Sequence, residues 1–185
     1  MIVGVDEVGR GCWAGPLVAG AVVLRSPIRG LRDSKKLTRL RREQLDVIIR
    51  AKAVAIGLGW VTPAEIDSLG LTAAVRLAMQ RAVAQIPPGY DEIIIDGNYN
   101  YLSSMSGSKC LIKADDLIPA VSAASIVAKV ARDAYMRTIS KTYPGYGFEA
   151  HVGYGTRMHQ SALATLGMCE LHRQLFAPIK QLQKA

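Results

Sequence analysis

The chain opens on two short apolar, β-branched runs, Ile2-Val3-Gly4-Val5 and Leu17 to Leu24. The glycine-rich segment between them carries Asp6, Glu7, Gly9, Arg10 and Gly11. Runs of this kind form buried strands and the glycines supply the turn, so the fold is expected to begin with a hairpin. Asp6 and Glu7 then fall at the end of a buried strand, where charge persists only if something pairs with it. A solvated hairpin end would explain one such pair. However, two more acidic residues stand in apolar surroundings, Asp96 directly after Ile93-Ile94-Ile95 and Asp133 within Ala123 to Met136.

Beyond the hairpin, Thr38 can cap a helix running to about Ala51, with Leu40, Leu45, Ile48 and Ile49 near one face. Ala53 to Val61 reads as a third strand. Thr62-Pro63-Ala64-Glu65 combines a cap, a proline at the first helical position and a capping-box glutamate, starting a helix to Leu69. Gly70 interrupts it, and Thr72 to Ile86 continues as a helix with Val75, Ala78, Met79 and Ala82 at core spacing. Glu92 to Ile95 and Lys109 to Lys113 are strands, and Ser122 to about Thr142 is the longest helix. A Gly/Tyr-rich stretch, Tyr143 to Gly155, separates it from terminal helices, one from about residue 157 to Leu166 and one beyond Cys169. This order implies an α/β class, a mixed sheet flanked by helices in a single 185-residue domain, with Asp6 and Asp96 at strand ends where ligands bind.

A formal charge of +8 favours a polyanionic partner, and six of the eleven residues from Arg32 to Arg42 are basic. Cys12, Cys110 and Cys169 have no close spacing, which signals neither a disulfide framework nor a zinc site and fits a reducing cytoplasm. Cys12 is read as a small buried thiol. Asp6 follows the first apolar run too soon for a signal peptide, and the longest uncharged stretch, Gly11 to Leu24, is too short and too broken for a membrane span.

Carboxylates grouped without histidine or thiolate are hard oxygen ligands that suit Mg²⁺ or Mn²⁺. Asp6, Glu7, Asp96 and Asp133 form the candidate set. Two ions roughly 4 Å apart can activate a water and stabilise the leaving oxygen at a phosphodiester. Asp133 fits a helical ion pair equally well, because it lies four residues after Lys129. Asp67, Asp115 and Asp116 read as loop or cap residues.

The runs Gly4-Val5-Asp6-Glu7-Val8-Gly9-Arg10-Gly11, Asp33-Ser34-Lys35-Lys36-Leu37, Ile95-Asp96-Gly97 and Ser122 to Asp133 together resemble ribonuclease HII, the type 2 ribonuclease H family. Tyr146-Gly147-Phe148, Gly153-Tyr154-Gly155-Thr156, His172-Arg173 and Phe176-Ala177-Pro178 continue the likeness across nearly the whole chain. The resemblance implies a ribonuclease H-like fold with a small C-terminal helical part and four metal-binding carboxylates at Asp6, Glu7, Asp96 and Asp133. It implies cleavage of RNA/DNA hybrids and of single ribonucleotides in duplex DNA, on the 5′ side of the ribonucleotide, leaving 3′-hydroxyl and 5′-phosphate ends. Gly9, Arg10 and Gly11 would sense the 2′-OH, Tyr154 would stack on the sugar after it, and Lys35 and Lys36 would contact phosphates. A monomer is expected, with any replication-clamp partner left open around the tail from Lys180 to Ala185.

Cys12, Trp13, Gly70, Ala114, Val152 and Leu175 depart from the family's usual residues, and none is a proposed ligand. A ribonuclease HIII-like enzyme would lack the arginine at position 10. A non-catalytic nucleic-acid-binding domain would not need four acidic residues facing a polyanion. A small-molecule phosphatase accords less well with the basic Arg32 to Arg42 stretch.

Overall fold

In the computed structural model, which describes residues 1–182, the first two apolar runs become β1 (Ile2–Val8) and β2 (Leu17–Leu24), paired antiparallel as expected. β3 (Ala53–Val61) continues antiparallel on β2, while β4 (Glu92–Asp96) lies parallel to β1 and β5 (Ser108–Leu111) parallel to β4. The sheet order is β3-β2-β1-β4-β5, so β1 is central and joins the antiparallel half to the parallel half.

Each face of the sheet carries helices. On one, Val3, Val5, Ile93 and Ile95 pack against Val75, Ala78, Met79 and Ala82 of α3 (Leu71–Val83), which α2 (Pro63–Leu69) precedes. On the other, Val22 meets Leu45 and Ile49 of α1 (Arg39–Lys52) and Ala123, Ala124, Ile126 and Val127 of α5 (Pro119–Ile139). Helix α5 lies almost on the backbone of β1. A Cβ on Gly4 would fall 2.2 Å from the carbonyl carbon of Ala120, and one on Gly20 2.5 Å from the carbonyl oxygen of Ala124.

Thr62 and Glu65 form the expected reciprocal capping box. Several expectations need adjustment. Leu40 is exposed, because it sits in the first turn of α1 before the core stripe of Leu45 and Ile49 begins. Helix α5 starts at Pro119 rather than Ser122, since proline at the first position is already set for a helix. Two one-turn helices, α4 (Ala114–Leu117) and α6 (Phe148–His151), add to the elements read from sequence.

A third packing layer forms from α6, α7 (Arg157–Leu166) and α8 (Ala177–Leu182), where Ala14 and Met136 meet Tyr146, Phe148, Leu163, Leu171 and Ile179. This layer clasps the β1–β2 turn. Gly153 accepts the N–H groups of Trp13 and Ala14, Leu171 accepts that of Gly15, and Trp13 accepts that of Arg173. Lys180 lies in α8, whereas residues 183–185 of the expected tail are outside the described residues. Among the described residues no helix is long and apolar enough to cross a membrane.

Candidate active site

Strand register assembles the acidic centre. Val5 pairs with Ile95, so Asp6 and Asp96 are the next residues on adjacent parallel strands. Val3, Val5, Ile93 and Ile95 fill the α3-side core, and strand alternation turns the residues between them, and Asp6 and Asp96 after them, toward the α5 side. There Ser125, Lys129 and Asp133 recur at intervals of four along α5.

Asp6, Glu7, Gly9, Arg10, Gly11, Lys35, Lys129 and Tyr154 line one cavity of ≈ 260 Å³. Asp96, Lys35, Lys36, Asp115 and Asp116 line an adjoining one, and Lys35 borders both. Burial pushes the Asp6 carboxyl well above the usual range; the charge of Glu7 adds to this, the Ser125 hydroxyl pulls against it, and Asp96 adds again. Ser125 is itself hydrogen-bonded to Ser34 at 2.9 Å, which ties the Asp33–Lys36 turn to α5. Burial also raises Glu7, with Arg10 lowering it from 3.8 Å and Asp96 raising it.

Two of the expected site residues are engaged in ion pairs. Lys36 forms an ion pair with Asp116 at 2.5 Å in the adjoining cavity. The carboxylate of Asp133 accepts from Lys129 at 2.8 Å, and the Lys129 ammonium stands 5.5 Å from the centre of the Tyr154 ring. Asp115, a loop or cap residue by sequence, is buried. Its N–H points at Asp96 Oδ1 from 3.4 Å, and its carboxyl is pushed up to about 6 by burial, then by Asp96, with Asp33 and Asp116 adding. Only the fold brings it there, through the β5–α4 turn and the bond from Ser122 Oγ to its carbonyl.

Asp67 caps a turn by accepting the N–H groups of Gln174 and Leu175. Cys12 is fully buried, as expected.

Two buried guanidinium groups support the loop between β1 and β2 from behind. Arg132 donates to the carbonyls of Pro16 at 2.8 Å, Val152 at 2.8 Å and Ala14 at 3.1 Å. Arg173 donates to Gly15 at 3.1 and 3.0 Å and to Arg10 at 3.1 Å. Arg173 thus reaches the Gly9–Gly11 segment at Arg10, and a Cβ on Gly9 would fall 2.4 Å from Arg132 Nε, so both cations lie close to it.

As donors, these carboxylates fit a hard divalent cation. Burial and mutual repulsion make ionised Asp6 and Glu7 costly, and a cation relieves both effects. Among the described residues no three histidine, cysteine or carboxylate groups close into a metal-holding cluster.

The family model described as Ribonuclease HII matches residues 3–179. A Ribonuclease HII from Halorhodospira halophila is 48% identical over 98% of this chain and 94% of its own length. Among solved structures, ribonuclease H2 from Pyrococcus horikoshii superposes with a TM-score of 0.84 at 24% identity, covering 99% of this chain and 97% of that one. Ribonuclease HII from Archaeoglobus fulgidus, solved in a complex with PCNA, gives 0.81 at 26% identity, with 95% of each chain covered. The fold is thus the ribonuclease H-like mixed sheet flanked by helices.

Proposed function

The chain belongs to the ribonuclease HII family and is a ribonuclease H-type endonuclease, and from that premise we propose that it also cuts at single ribonucleotides embedded in duplex DNA. Cleavage on the 5′ side of the ribonucleotide, leaving a 3′-hydroxyl and a 5′-phosphate, is part of this reading. Its main support is one juxtaposition: Asp6 and Glu7 share a cavity with Gly9, Arg10, Gly11 and Tyr154. Acids that can hold a cation at a scissile phosphate thus stand next to backbone able to meet a 2′-hydroxyl and a ring able to meet a sugar.

Asp6, Glu7 and Asp96 form the metal-holding core in this reading, with Mg²⁺ or Mn²⁺ as cofactor. When bound, two such cations supply a charge clamp on the scissile phosphate and an activated water. Asp115 takes the fourth place because its burial and charge coupling run directly to Asp96. Asp133 instead fixes the Lys129 ammonium beside Tyr154. Lys35 holds substrate phosphates at the junction of the two cavities, and Lys36, released from Asp116, does so further out.

The test is cleavage of a duplex DNA containing one ribonucleotide, with Mg²⁺, with Mn²⁺ and with chelator, reading the cut position. Asp96→Asn and Asp115→Asn should each lower turnover by at least about 100-fold, as expected for loss of a metal ligand or its support, and Asp133→Asn by less. The reverse order would give Asp133 the fourth place. Cleavage of long hybrid alone would remove the embedded-ribonucleotide reading.

A further inference from the structure

Tyr154 lies between Gly153 and Gly155, so little in the adjacent backbone restrains it. Its ring nevertheless holds one place, near Lys129 and partly exposed to the groove. The Tyr154 hydroxyl meets the buried Cys12 thiol, and hydrogen bonds to the Tyr154 peptide group hold the backbone that carries the ring. Its N–H donates to the carbonyl of His151 at 3.0 Å, and its carbonyl accepts the N–H of Thr156 at 2.9 Å and meets His159 Nδ1 at 3.0 Å.

His159 is completely buried, and its other ring nitrogen, Nε2, lies 3.0 Å from Nε2 of His172. Two facing nitrogens need one proton between them, and chemistry decides which carries it. A carbonyl can only accept, so His159 Nδ1 is the donor to Tyr154. A neutral His159 then has a bare Nε2, which makes His172 Nε2–H the donor between the rings. That leaves His172 Nδ1 bare, and it faces the Cys169 N–H at 2.9 Å and the Cys169 thiol at 3.3 Å, two groups able to donate. The Cys169 carbonyl, 3.1 Å from the same nitrogen, already receives the His172 N–H at 3.0 Å. The donated bonds from Cys169 through His172 and His159 to Tyr154 agree in one neutral arrangement, with the Cys169 carbonyl served by the His172 N–H. Burial holds both histidines below their usual pKa, which keeps them neutral.

We propose that His172 and His159 form a one-directional hydrogen-bond relay, from the Cys169 amide to the Tyr154 carbonyl, and are positioning residues for the Tyr154 ring at the ribonucleotide junction. The surroundings reinforce the same loop. His151 stacks on His159 with ring centres 4.4 Å apart, accepts the Gly153 N–H at Nδ1 and contacts the Tyr146 carbonyl through Nε2. Trp13 packs at 5.7 Å from His159 and Phe148 at 5.5 Å.

The relay rests on the reading of Tyr154 as a substrate contact, and three substitutions separate the two. His159→Phe keeps an aromatic ring but ends both bonds. His172→Asn keeps an acceptor for Cys169 without reaching His159, whereas His172→Gln keeps a donor at the distance of Nε2. Cleavage would be measured on duplex DNA with one ribonucleotide and on long RNA/DNA hybrid, with thermal unfolding recorded for every variant. His159→Phe and His172→Asn should lower kcat/KM on the single ribonucleotide about tenfold, the scale of one buried hydrogen bond, and on the hybrid by less. His172→Gln should stay within about threefold of the parent, because the bond is rebuilt.

In a Tyr154→Ala background, His159→Phe should add no further loss, because the ring it positions is gone. Losses that multiply in that background would overturn the relay as a positioning device. Unchanged cleavage in His159→Phe, with Tyr154→Ala strongly impaired, would overturn it while leaving the role of Tyr154 intact. If Tyr154→Ala itself cleaves the single ribonucleotide normally, both ideas fail. Should His159→Phe not fold, equal cleavage by His172→Asn and His172→Gln would still overturn the relay.

Discussion

Arg173 offers a sharp test of how the loop between β1 and β2 is held. It is fully buried, and its guanidinium makes three bonds to two backbone carbonyls, two to Gly15 and one to Arg10. Its plane also lies 5.1 Å from the centre of the Phe176 ring. Arg173→Met keeps most of the aliphatic stem and removes every donor. An abandoned buried carbonyl costs about 1–3 kcal/mol, and two are abandoned here. Burial already lowers Arg173 to about 10, a sign that holding this cation out of water is itself costly, so deleting the charge offsets part of the loss. A net destabilisation of about 3 kcal/mol follows. For a chain of this size each kcal/mol moves the melting temperature by about 2–4 °C, which gives a fall of about 6–12 °C by circular dichroism. Arg173→Lys should fall between, since one ammonium cannot reproduce the planar fork. A melting temperature within about 2 °C of the parent would mean that water satisfies both carbonyls, and would refute the claim that the guanidinium fastens the loop.

His159 is held down to about 4 in the folded chain against about 6.5 unfolded, so the unfolded state binds the extra proton first. Its contribution is therefore intact above pH 6.5 and lost as pH falls toward 4, costing about 2 kcal/mol at pH 5. Urea unfolding at the two ends of that range measures the loss, and its absence in His159→Phe assigns it. Gly4→Ala should prevent α5 from seating on β1, because the new carbon would overlap the Ala120 and Val121 backbone; expression without a cooperative unfolding transition is the expected outcome. Asp6→Asn should abolish cleavage yet raise the melting temperature in metal-free buffer near neutral pH, because it removes a buried charge repelled by Glu7 and Asp96. The gain should vanish in acid, where Asp6 is already protonated, and a lower melting temperature at neutral pH would contradict it.

The local parts of this molecule were legible in the sequence because their causes are local. β3 has the bounds Ala53–Val61 that its apolar run indicated, and the capping box at Thr62 and Glu65 forms as its spacing required. Helix α6 escaped because it is a single turn bounded by left-handed residues, Gly147 at φ 75° and Val152 at φ 45°, with too few positions for a period to show. The pairing of Asp6 with Glu7 could be read directly, and Asp96 announced itself by ending a buried strand. Asp115 could not be read, because its nearness to Asp96 depends on how the β5–α4 turn folds back on β4. The histidine relay was equally hidden, since it joins α7, the Cys169–His172 turn and the Tyr154 loop through tautomers that only contact distances fix.

The carboxylates of β1 and β4 are anchored in the central sheet, whereas the loop from Arg10 to Pro16 hangs from Arg132, Arg173, Gly153 and Leu171, mostly in the C-terminal layer. The acidic centre and the glycine-rich loop thus rest on different foundations. The layer that supports the loop is built from short helices, the kind of structure that opens at lower free energy than a central sheet. On the proposed reading of the loop, warming or mild denaturant should weaken the choice of cleavage position before it stops phosphodiester hydrolysis.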